Sequence, residues 1–150
     1  MLDCRRPAVS SSTGPPVRAP FESSVILGIG FDLVDLARFS RISARHGAGL
    51  VERLFSKAEL AWCARRRRPD EHLAMRFAAR EAVLKALGTG LVGPMSWKDM
   101  EVVPGEAPGT ASLILCGAVG AEADRQHVRR IHLALATTRE VAAASVILEA

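Results

Sequence analysis

The sequence predicts an α+β fold in a single domain over residues 25–150. The chain has 150 residues, of which 49% are hydrophobic, so it can fill one core but not two comfortable ones. Apolar strand patterns lie near both ends of this region, and helical patterns fill most of the middle. Strands and helices do not alternate regularly, as they would in a doubly wound sheet. We therefore expect a small antiparallel sheet packed with a long helix.

Residues 1–24 are predicted to be a disordered extension. Their run PAVSSSTGPP is not the apolar core that a signal peptide requires. No apolar stretch of the chain approaches the roughly 20 residues that cross a bilayer. The cysteines are odd in number and widely scattered, which fits neither a disulfide framework nor a zinc site: Cys4, Cys63 and Cys116. We expect a soluble cytoplasmic protein with reduced thiols and no membrane contact.

Residues 25–34 are predicted to form a buried strand, because the run ILGIGFDLV is apolar apart from Asp32. Gly28 and Gly30 do not form a dinucleotide-binding fingerprint, since no third glycine follows at the required spacing and no helix opens directly behind them. The carboxylate of Asp32 in an apolar strand needs a compensating partner.

A helix should follow over residues 35–46, because Leu36, Phe39 and Ile42 recur at helical spacing. Its polar side then carries three arginines, Arg38, Arg41 and Arg45. This basic row is either an ordinary solvated face or a docking surface for an acidic partner.

A second helix should start after Ser56, because Ser56 and Glu59 form a capping-box signature. It is expected to pass through Trp62 and to end in the arginine run of residues 65–68, with Pro69 as its stop. We interpret these arginines as a complement to the helix dipole rather than as a nuclear address or a phosphate clamp.

The longest helix is predicted from Asp70 to the GTG sequence at residues 88–90, where glycine closes the last turn. Within it, Phe77, Glu81 and Leu84 lie on one face. Burial of an unpartnered carboxylate costs several kcal/mol or raises its pKa until it is neutral. Glu81 therefore needs a cation, a metal ion or a strong hydrogen-bond donor beside it.

Asp32 and Glu81 pose the same problem in two distant parts of the chain. If the fold brings them together, the two carboxylates would suit Mg²⁺, which takes oxygen ligands and keeps much of its water for substrate phosphates. The plainer alternative is that Asp32 is only a strand-end residue and that Glu81 pairs with Lys85 one turn later.

The C-terminal part is predicted to contain two hairpins around a short helix. Strands are expected over residues 97–103 and 112–116, with the turn PGEAPG between them, and a helix over residues 118–125. The last strands, over residues 131–136 and 141–148, are joined by the short link TTRE, which favours a hairpin.

The composition favours an anionic partner other than nucleic acid. The net charge of +4 and the sequence pI of about 9.5 allow a phosphate-rich cofactor, an acidic protein or nucleic acid. Only 5% of the residues are aromatic and none is tyrosine, so stacking platforms for single-stranded nucleic acid are poorly supplied. We do not expect nucleic-acid binding.

Four motifs in order resemble those of the holo-acyl carrier protein synthases, the small 4′-phosphopantetheinyl transferases: GIGFDLVDLAR, LFSKAEL, RFAAREAVLKALGTG and WKDMEV. The resemblance runs from about residue 25 to the C-terminus. It implies a homotrimer with coenzyme A bound in clefts between subunits. It also implies Mg²⁺-dependent transfer of the 4′-phosphopantetheine arm of coenzyme A to a serine of apo acyl carrier protein, with release of adenosine 3′,5′-bisphosphate. The carrier pathway stays open between fatty-acid, polyketide and other biosynthesis.

The resemblance also implies roles for individual residues. Asp32 and Glu81 fall on the Mg²⁺ ligands of the family, and with Lys85 they form the implied catalytic set. The implied cofactor-binding residues are Arg76, Arg80, Lys85, Gly88 and Thr137. Arg38 and Arg45 match the family's docking surface for the acidic recognition helix of acyl carrier protein, which favours docking over a solvated face. At Arg80 the family usually has lysine, so the charge is kept with altered donor geometry.

The chain departs from the family pattern near its C-terminus. Where the family reads SLSHT or close to it, this chain reads ALATT over residues 134–138, and Thr137 occupies the histidine position. His132 lies five residues early, and an odd shift along a strand points it to the opposite face. The GKP or GRP turn of the family is replaced by GTA at residues 109–111. Charge-assisted contacts are worth roughly 1.5–3 kcal/mol each, so these losses would slacken the grip on the nucleotide end of coenzyme A.

Two functions are therefore predicted as alternatives. The first is an active transferase with slackened nucleotide recognition, which the retention of Asp32, Glu81 and Lys85 favours. The second is a repurposed member that binds carrier protein, or acts on a carrier-bound or coenzyme A thioester, without transferring phosphopantetheine. The departure at residues 134–138 favours this second function.

Overall fold

The computed structural model describes residues 25–107 and 109–150, and it confirms a small α+β domain. The predicted disordered extension, residues 1–24, lies outside the described residues. In chain order the elements are β1 (Ile26–Asp35), α1 (Leu36–Leu54), α2 (Lys57–Ala64), α3 (Pro69–Leu87), a 3₁₀ turn (Trp97–Asp99), β2 (Met100–Pro104), β3 (Ala111–Leu115), α4 (Gly117–Arg125), β4 (Arg130–Thr137) and β5 (Val141–Glu149). None of the helices in this part of the chain has the length and apolar character that a bilayer span requires.

Two antiparallel sheets are present in the described residues, where one was expected. The larger has the strand order β1-β5-β4, and the smaller is the hairpin of β2 and β3. The long helix α3 packs against β1 and β5, and its buried side chains form the centre of the core. Small residues dominate its contact surface: Ala78, Ala79, Ala82 and Ala86. Because these side chains are short, helix and sheet can approach closely.

Strand β1 is buried on one face only, which corrects the prediction of a buried strand. Ile29, Phe31 and Leu33 are 65%, 54% and 60% exposed and lie on the face turned away from α3. A continuous apolar run predicts burial on both faces, but this antiparallel sheet is covered by the rest of the described chain on one face only. The uncovered face is apolar all the same, so it has the character of an interface.

Gly28 and Gly30 let β1 lie almost on the backbone of α3. A Cβ atom added at Gly28 would overlap the carbonyl oxygen of Ala86, and one at Gly30 would overlap that of Ala82. Any side chain at either glycine would therefore push the strand and the helix apart. This contact fixes where the next residue on the same strand face, Asp32, meets the helix.

Helix α1 is longer than predicted and continues to Leu54 through a kink at Gly47, which has φ 64° and ψ −162°. Its first turn is capped by Asp35, whose side chain accepts from the Arg38 amide at 2.6 Å. The predicted basic row keeps its place on this helix.

The capping box at the start of α2 is confirmed, because Ser56 and Glu59 satisfy each other's backbone amides. Two details of the next connection differ from the prediction. The arginine run of residues 65–68 follows the last turn of α2 rather than forming it, and Pro69 is the first residue of α3. Proline suits a first helical turn because its missing amide proton would have no partner there.

The C-terminal hairpins and the short helix are confirmed with small shifts. The strand predicted from residue 97 begins only at Met100, because Ser96 caps a 3₁₀ turn with Asp99 in a second capping box. Strands β4 and β5 pair in register from Arg130 with Glu149 to Thr137 with Ala142.

Candidate active site

Asp32 and Lys85 meet where β1 crosses α3, 53 residues apart in the chain. The Lys85 Nζ donates to Asp32 Oδ1 at 2.6 Å and to the Phe31 carbonyl oxygen at 3.1 Å. The Asp32 side chain is 15% exposed, whereas that of Lys85 is 53% exposed. The carboxylate is therefore held in place, and the ammonium reaches it from the solvent side.

Glu81 lies one turn before Lys85 on α3 and is half-buried. Burial raises the pKa of its carboxyl, the negative charge of Asp32 raises that pKa further, and Lys85 lowers it. The charge of Asp32 therefore acts on Glu81, which lies one turn from the lysine that Asp32 binds. The plainer alternative, in which Glu81 pairs with Lys85, does not describe the structure. The Lys85 ammonium hydrogen-bonds Asp32.

The pair of carboxylates fits a hard divalent cation. Two nearby acidic groups destabilise each other's charged forms, and the lone ammonium of Lys85 offsets only one of the two negative charges. Within the described residues there is no group of three or more His, Cys, Asp or Glu side chains that could enclose a metal ion. A cation held by two carboxylates keeps other positions for water and phosphate oxygens, which is typical of magnesium rather than of zinc.

Gly88 ends α3 in the left-handed conformation, with φ 72°, and its amide donates to the carbonyl of Lys85. The connection that follows exposes two apolar side chains, since Leu91 and Val92 are 38% and 53% exposed. Gly88 is itself exposed and lies about one turn beyond Lys85 and two turns beyond Glu81. The predicted cofactor position is therefore at the same end of the helix as the acidic pair.

Arg80 is fully buried, so its geometry does not support the predicted cofactor contact. Its guanidinium donates to Glu59 Oε2, to the Trp97 carbonyl at 3.2 Å and to the Arg76 carbonyl at 3.1 Å. It also lies over the ring of Phe55 at 4.8 Å. Consecutive residues of an α-helix are about 100° apart around its axis, so Arg80 and Glu81 lie on different faces of α3.

Arg76 is 3% exposed and lies in the same interior cluster. Its guanidinium lies over the ring of Trp62 at 4.2 Å, and that of Arg66 also lies over this ring, at 3.8 Å. Its Nε lies 3.8 Å from Glu59 Oε1 without a hydrogen-bond partner. Burial lowers the pKa of this guanidinium. The single chain thus gives Arg76 a packing role, with no surface for a phosphate.

Thr137 lies at the end of β4 and is exposed. Its hydroxyl lies 3.1 Å from the Thr138 carbonyl oxygen and 3.4 Å from that of Val141, the first residue of β5, so its one proton is donated within the last hairpin. His132 is far along the same strand and hydrogen-bonds Glu149 at 2.6 Å. At about 3.4 Å per residue the two positions are roughly 17 Å apart, so His132 does not replace the missing histidine.

Arg38 and Arg45 are exposed on α1, as is Arg41 between them. Ile42 lies among them and is 40% exposed. None of the three arginines forms an ion pair with another residue in the described part of the chain. This helix therefore presents free positive charge around an apolar side chain.

The part of the site that sequence reasoning missed is the pair of glycines before Asp32. Gly28, Gly30 and Asp32 are two residues apart, so in a strand all three lie on one face. That spacing was the available signal: two positions without side chains and then a carboxylate on the face that meets the helix. The role of the Phe31 carbonyl as a second acceptor for Lys85 has no sequence signal.

Comparison with known proteins gives consistent matches over most of the chain. A family model described as the 4′-phosphopantetheinyl transferase superfamily matches residues 28–144. A holo-[acyl-carrier-protein] synthase of Clavibacter sepedonicus is 47% identical over 125 residues, which are 83% of this chain and 97% of that protein. The crystal structure of the holo-[acyl-carrier-protein] synthase of Neisseria meningitidis has a TM-score of 0.75 at 30% identity and covers 84% of this chain and 100% of its own.

A third match is a structure solved with a ligand. The holo-(acyl-carrier-protein) synthase of Bacillus anthracis, solved in complex with CoA (3′,5′-ADP), has a TM-score of 0.67 at 31% identity. It covers 83% of this chain and 96% of its own.

Proposed function

The chain belongs to the 4′-phosphopantetheinyl transferase superfamily and is an enzyme of the holo-acyl-carrier-protein synthase type, and we propose that it modifies an apo acyl carrier protein. The group transferred is the 4′-phosphopantetheine arm of coenzyme A, the acceptor is a serine hydroxyl, and the other product is adenosine 3′,5′-bisphosphate. We also propose a cytoplasmic location, because the scattered cysteines of the chain favour reduced thiols.

The observation that carries this proposal is the convergence of Asp32, Glu81 and Lys85 at the crossing of β1 and α3. Two carboxylates and one ammonium are the groups that a divalent cation and a diphosphate need side by side. We propose that Asp32 and Glu81 hold Mg²⁺. When bound, this ion would neutralise and orient the oxygens of the coenzyme A diphosphate.

The transfer itself is a displacement at phosphorus. The serine oxygen of the carrier forms a bond to the β-phosphorus of coenzyme A, and the bond from that phosphorus to the bridging oxygen breaks. The serine proton leaves to water or to Glu81. Lys85, whose ammonium is half-exposed at the rim of the site, is able to neutralise charge on a phosphate oxygen as the leaving group departs.

Helix α1 supports the proposed choice of an acidic protein as acceptor. Arg38, Arg41 and Arg45 surround the exposed Ile42, and the helix starts directly after the strand that carries Asp32. An acidic amphipathic helix would match this surface in both charge and apolar contact. Bound there, the carrier would present its serine a short distance from the acidic pair.

We propose a homotrimer, with coenzyme A bound between neighbouring subunits. Support comes from the outer face of the β1-β5-β4 sheet, where Ile29, Phe31 and Leu33 are all more than half exposed. A face of this kind is costly to leave in water. Sedimentation at working concentration should therefore give a species heavier than a monomer, and a monomer alone would contradict the proposed assembly.

The second candidate function, a repurposed member, is favoured by the threonine at position 137. Its hydroxyl is engaged in the hairpin link, so this position offers no charged donor to a nucleotide. The presence of Asp32, Glu81 and Lys85 supports the first function instead. It favours an active transferase that binds its cofactor more weakly. In the intersubunit arrangement we propose the exposed residues Gly88 and Thr137 as cofactor contacts, and the buried Arg76 is not among them.

Mass spectrometry of carrier proteins tests the proposal. The chain is incubated with Mg²⁺, coenzyme A and a panel of apo carrier proteins, and a phosphopantetheine mass gain is expected on at least one. Glu81→Ala should abolish the gain, whereas Glu106→Ala, which removes an exposed carboxylate in the β2–β3 turn, should not. If carriers bind but none gains mass, the second function replaces the first.

A further inference from the structure

Lys85 occupies one of the two carboxylate oxygens of Asp32, the group proposed to hold the divalent cation. The ammonium lies 2.6 Å from Asp32 Oδ1, a distance that leaves no room for a second cation on the same side of that oxygen. The other acceptor of Lys85, the carbonyl oxygen of Phe31, is neutral. Asp32 is therefore the charged group that Lys85 hydrogen-bonds, while the charge of Glu81 acts on Lys85 without a hydrogen bond to it in the described residues.

The two side chains differ in freedom. Asp32 projects from a paired strand position opposite Ala144 and is mostly buried. Lys85 has a flexible four-carbon stem, and its side chain is 53% exposed. If one partner must move to admit another cation, Lys85 moves and Asp32 stays.

We infer that Lys85 competes with the divalent cation for Asp32 and couples cation binding to diphosphate binding. This inference rests on the proposed function of the acidic pair. A cation on Asp32 repels the ammonium at short range, and Lys85 turns to the nearest other anion, a phosphate oxygen of coenzyme A. A phosphate that draws Lys85 away likewise frees Asp32 for the cation. The coupling is reciprocal, as thermodynamic linkage requires.

This role differs from that of a simple phosphate-binding lysine in the sign of one measurable effect. Removal of a lysine that binds only phosphate, at a distance from the cation ligands, weakens coenzyme A binding and leaves cation binding without coenzyme A unchanged. Removal of a competitor strengthens cation binding in the absence of coenzyme A. Neutralising one charge at this range should change the affinity about tenfold.

The test is a titration of the purified protein with Mn²⁺, followed by the electron paramagnetic resonance signal of the free ion, with and without saturating coenzyme A. Lys85→Met should bind Mn²⁺ alone about tenfold more tightly than the wild type. Coenzyme A should tighten Mn²⁺ binding by a smaller factor in this variant than in the wild type. Lys85→Arg, which keeps the charge, should stay near the wild-type affinity for Mn²⁺ alone.

Lys57→Met is the matched control, because it removes an exposed lysine at the start of α2, remote from Asp32 in the fold. It should leave both titrations unchanged, and circular dichroism checks that each variant is folded. Equal or weaker Mn²⁺ binding by Lys85→Met would overturn the inference while leaving the acidic pair intact. If Glu81→Gln bound Mn²⁺ as tightly as the wild type, the proposed metal site itself would fail, and the inference with it.

Discussion

Gly30→Ala tests whether the close contact of β1 with α3 builds the site. The added methyl would overlap the Ala82 carbonyl oxygen and would lie 2.8 Å from both the Ala82 carbonyl carbon and the Ala86 amide nitrogen. Ordinary contacts at such atoms begin near 3.4 Å, so the two 2.8 Å contacts alone require strand and helix to separate by about 0.6 Å, and the closer overlap with the Ala82 carbonyl oxygen requires more. Backbone atoms cannot turn aside as a flexible side chain can.

The expected cost follows from this overlap. Overpacking of a well-packed core typically costs 1–3 kcal/mol. For a chain of this size, about 2 kcal/mol corresponds to a fall in Tm of roughly 4–8 °C. The same displacement lengthens the 2.6 Å contact between Lys85 and Asp32, so activity should fall together with stability.

The assay is thermal unfolding by circular dichroism at fixed protein concentration, with transferase activity measured in parallel. Gly49→Ala is the matched control, because a Cβ at this helical glycine meets nothing within 4 Å. Alanine should be neutral or stabilising there by up to about 1 kcal/mol. A Gly30→Ala variant with wild-type Tm and activity would refute the claim that this contact sets the geometry of the site.

Three further predictions concern separate parts of the molecule. Arg80→Met should lower the free energy of unfolding by about 3–5 kcal/mol in urea, because it removes the cation that hydrogen-bonds the buried carboxylate of Glu59; a loss below about 1 kcal/mol would contradict the pairing. Glu81→Gln should unfold at a higher temperature than the wild type near pH 8, and this advantage should vanish near pH 4. Burial and Asp32 raise the folded pKa of Glu81 above its ordinary 4.5, so the folded state binds the proton more tightly and wild-type stability declines as pH rises through this interval. An advantage independent of pH would exclude that cause. Arg38→Glu should raise the KM for acyl carrier protein and leave coenzyme A affinity unchanged, and an unaltered KM would remove α1 from the docking surface.

Local signals in the sequence predicted much of the fold. The capping box of Ser56 and Glu59 and the closing glycine at position 88 depend on residues three or four apart, and both are confirmed. The short link before Val141 likewise predicted the last hairpin. Each of these features depends on residues that are close together in the chain. A single sequence is therefore enough to predict it.

Long-range contacts account for what the sequence did not predict. The burial of Arg80 depends on Glu59, 21 residues away, and a basic side chain in a helix carries no mark of such a partner. The exposed face of β1 reflects what the rest of the chain leaves uncovered. In contrast, the need of Asp32 for a partner was predictable, because it was an isolated carboxylate in an apolar pattern, and the structure supplies Lys85; the shared metal site of Asp32 and Glu81 stays a prediction.

Crystallography with Mn²⁺ and coenzyme A tests the metal site most directly, because the anomalous signal of manganese locates the ion independently of the protein coordinates. We predict one anomalous peak between Asp32 and Glu81, with a carboxylate oxygen of each at about 2.1 Å, and with Lys85 turned from Asp32 toward a phosphate oxygen. A peak that contacts only one of these carboxylates, or that lies elsewhere in the molecule, would contradict the proposed chemistry.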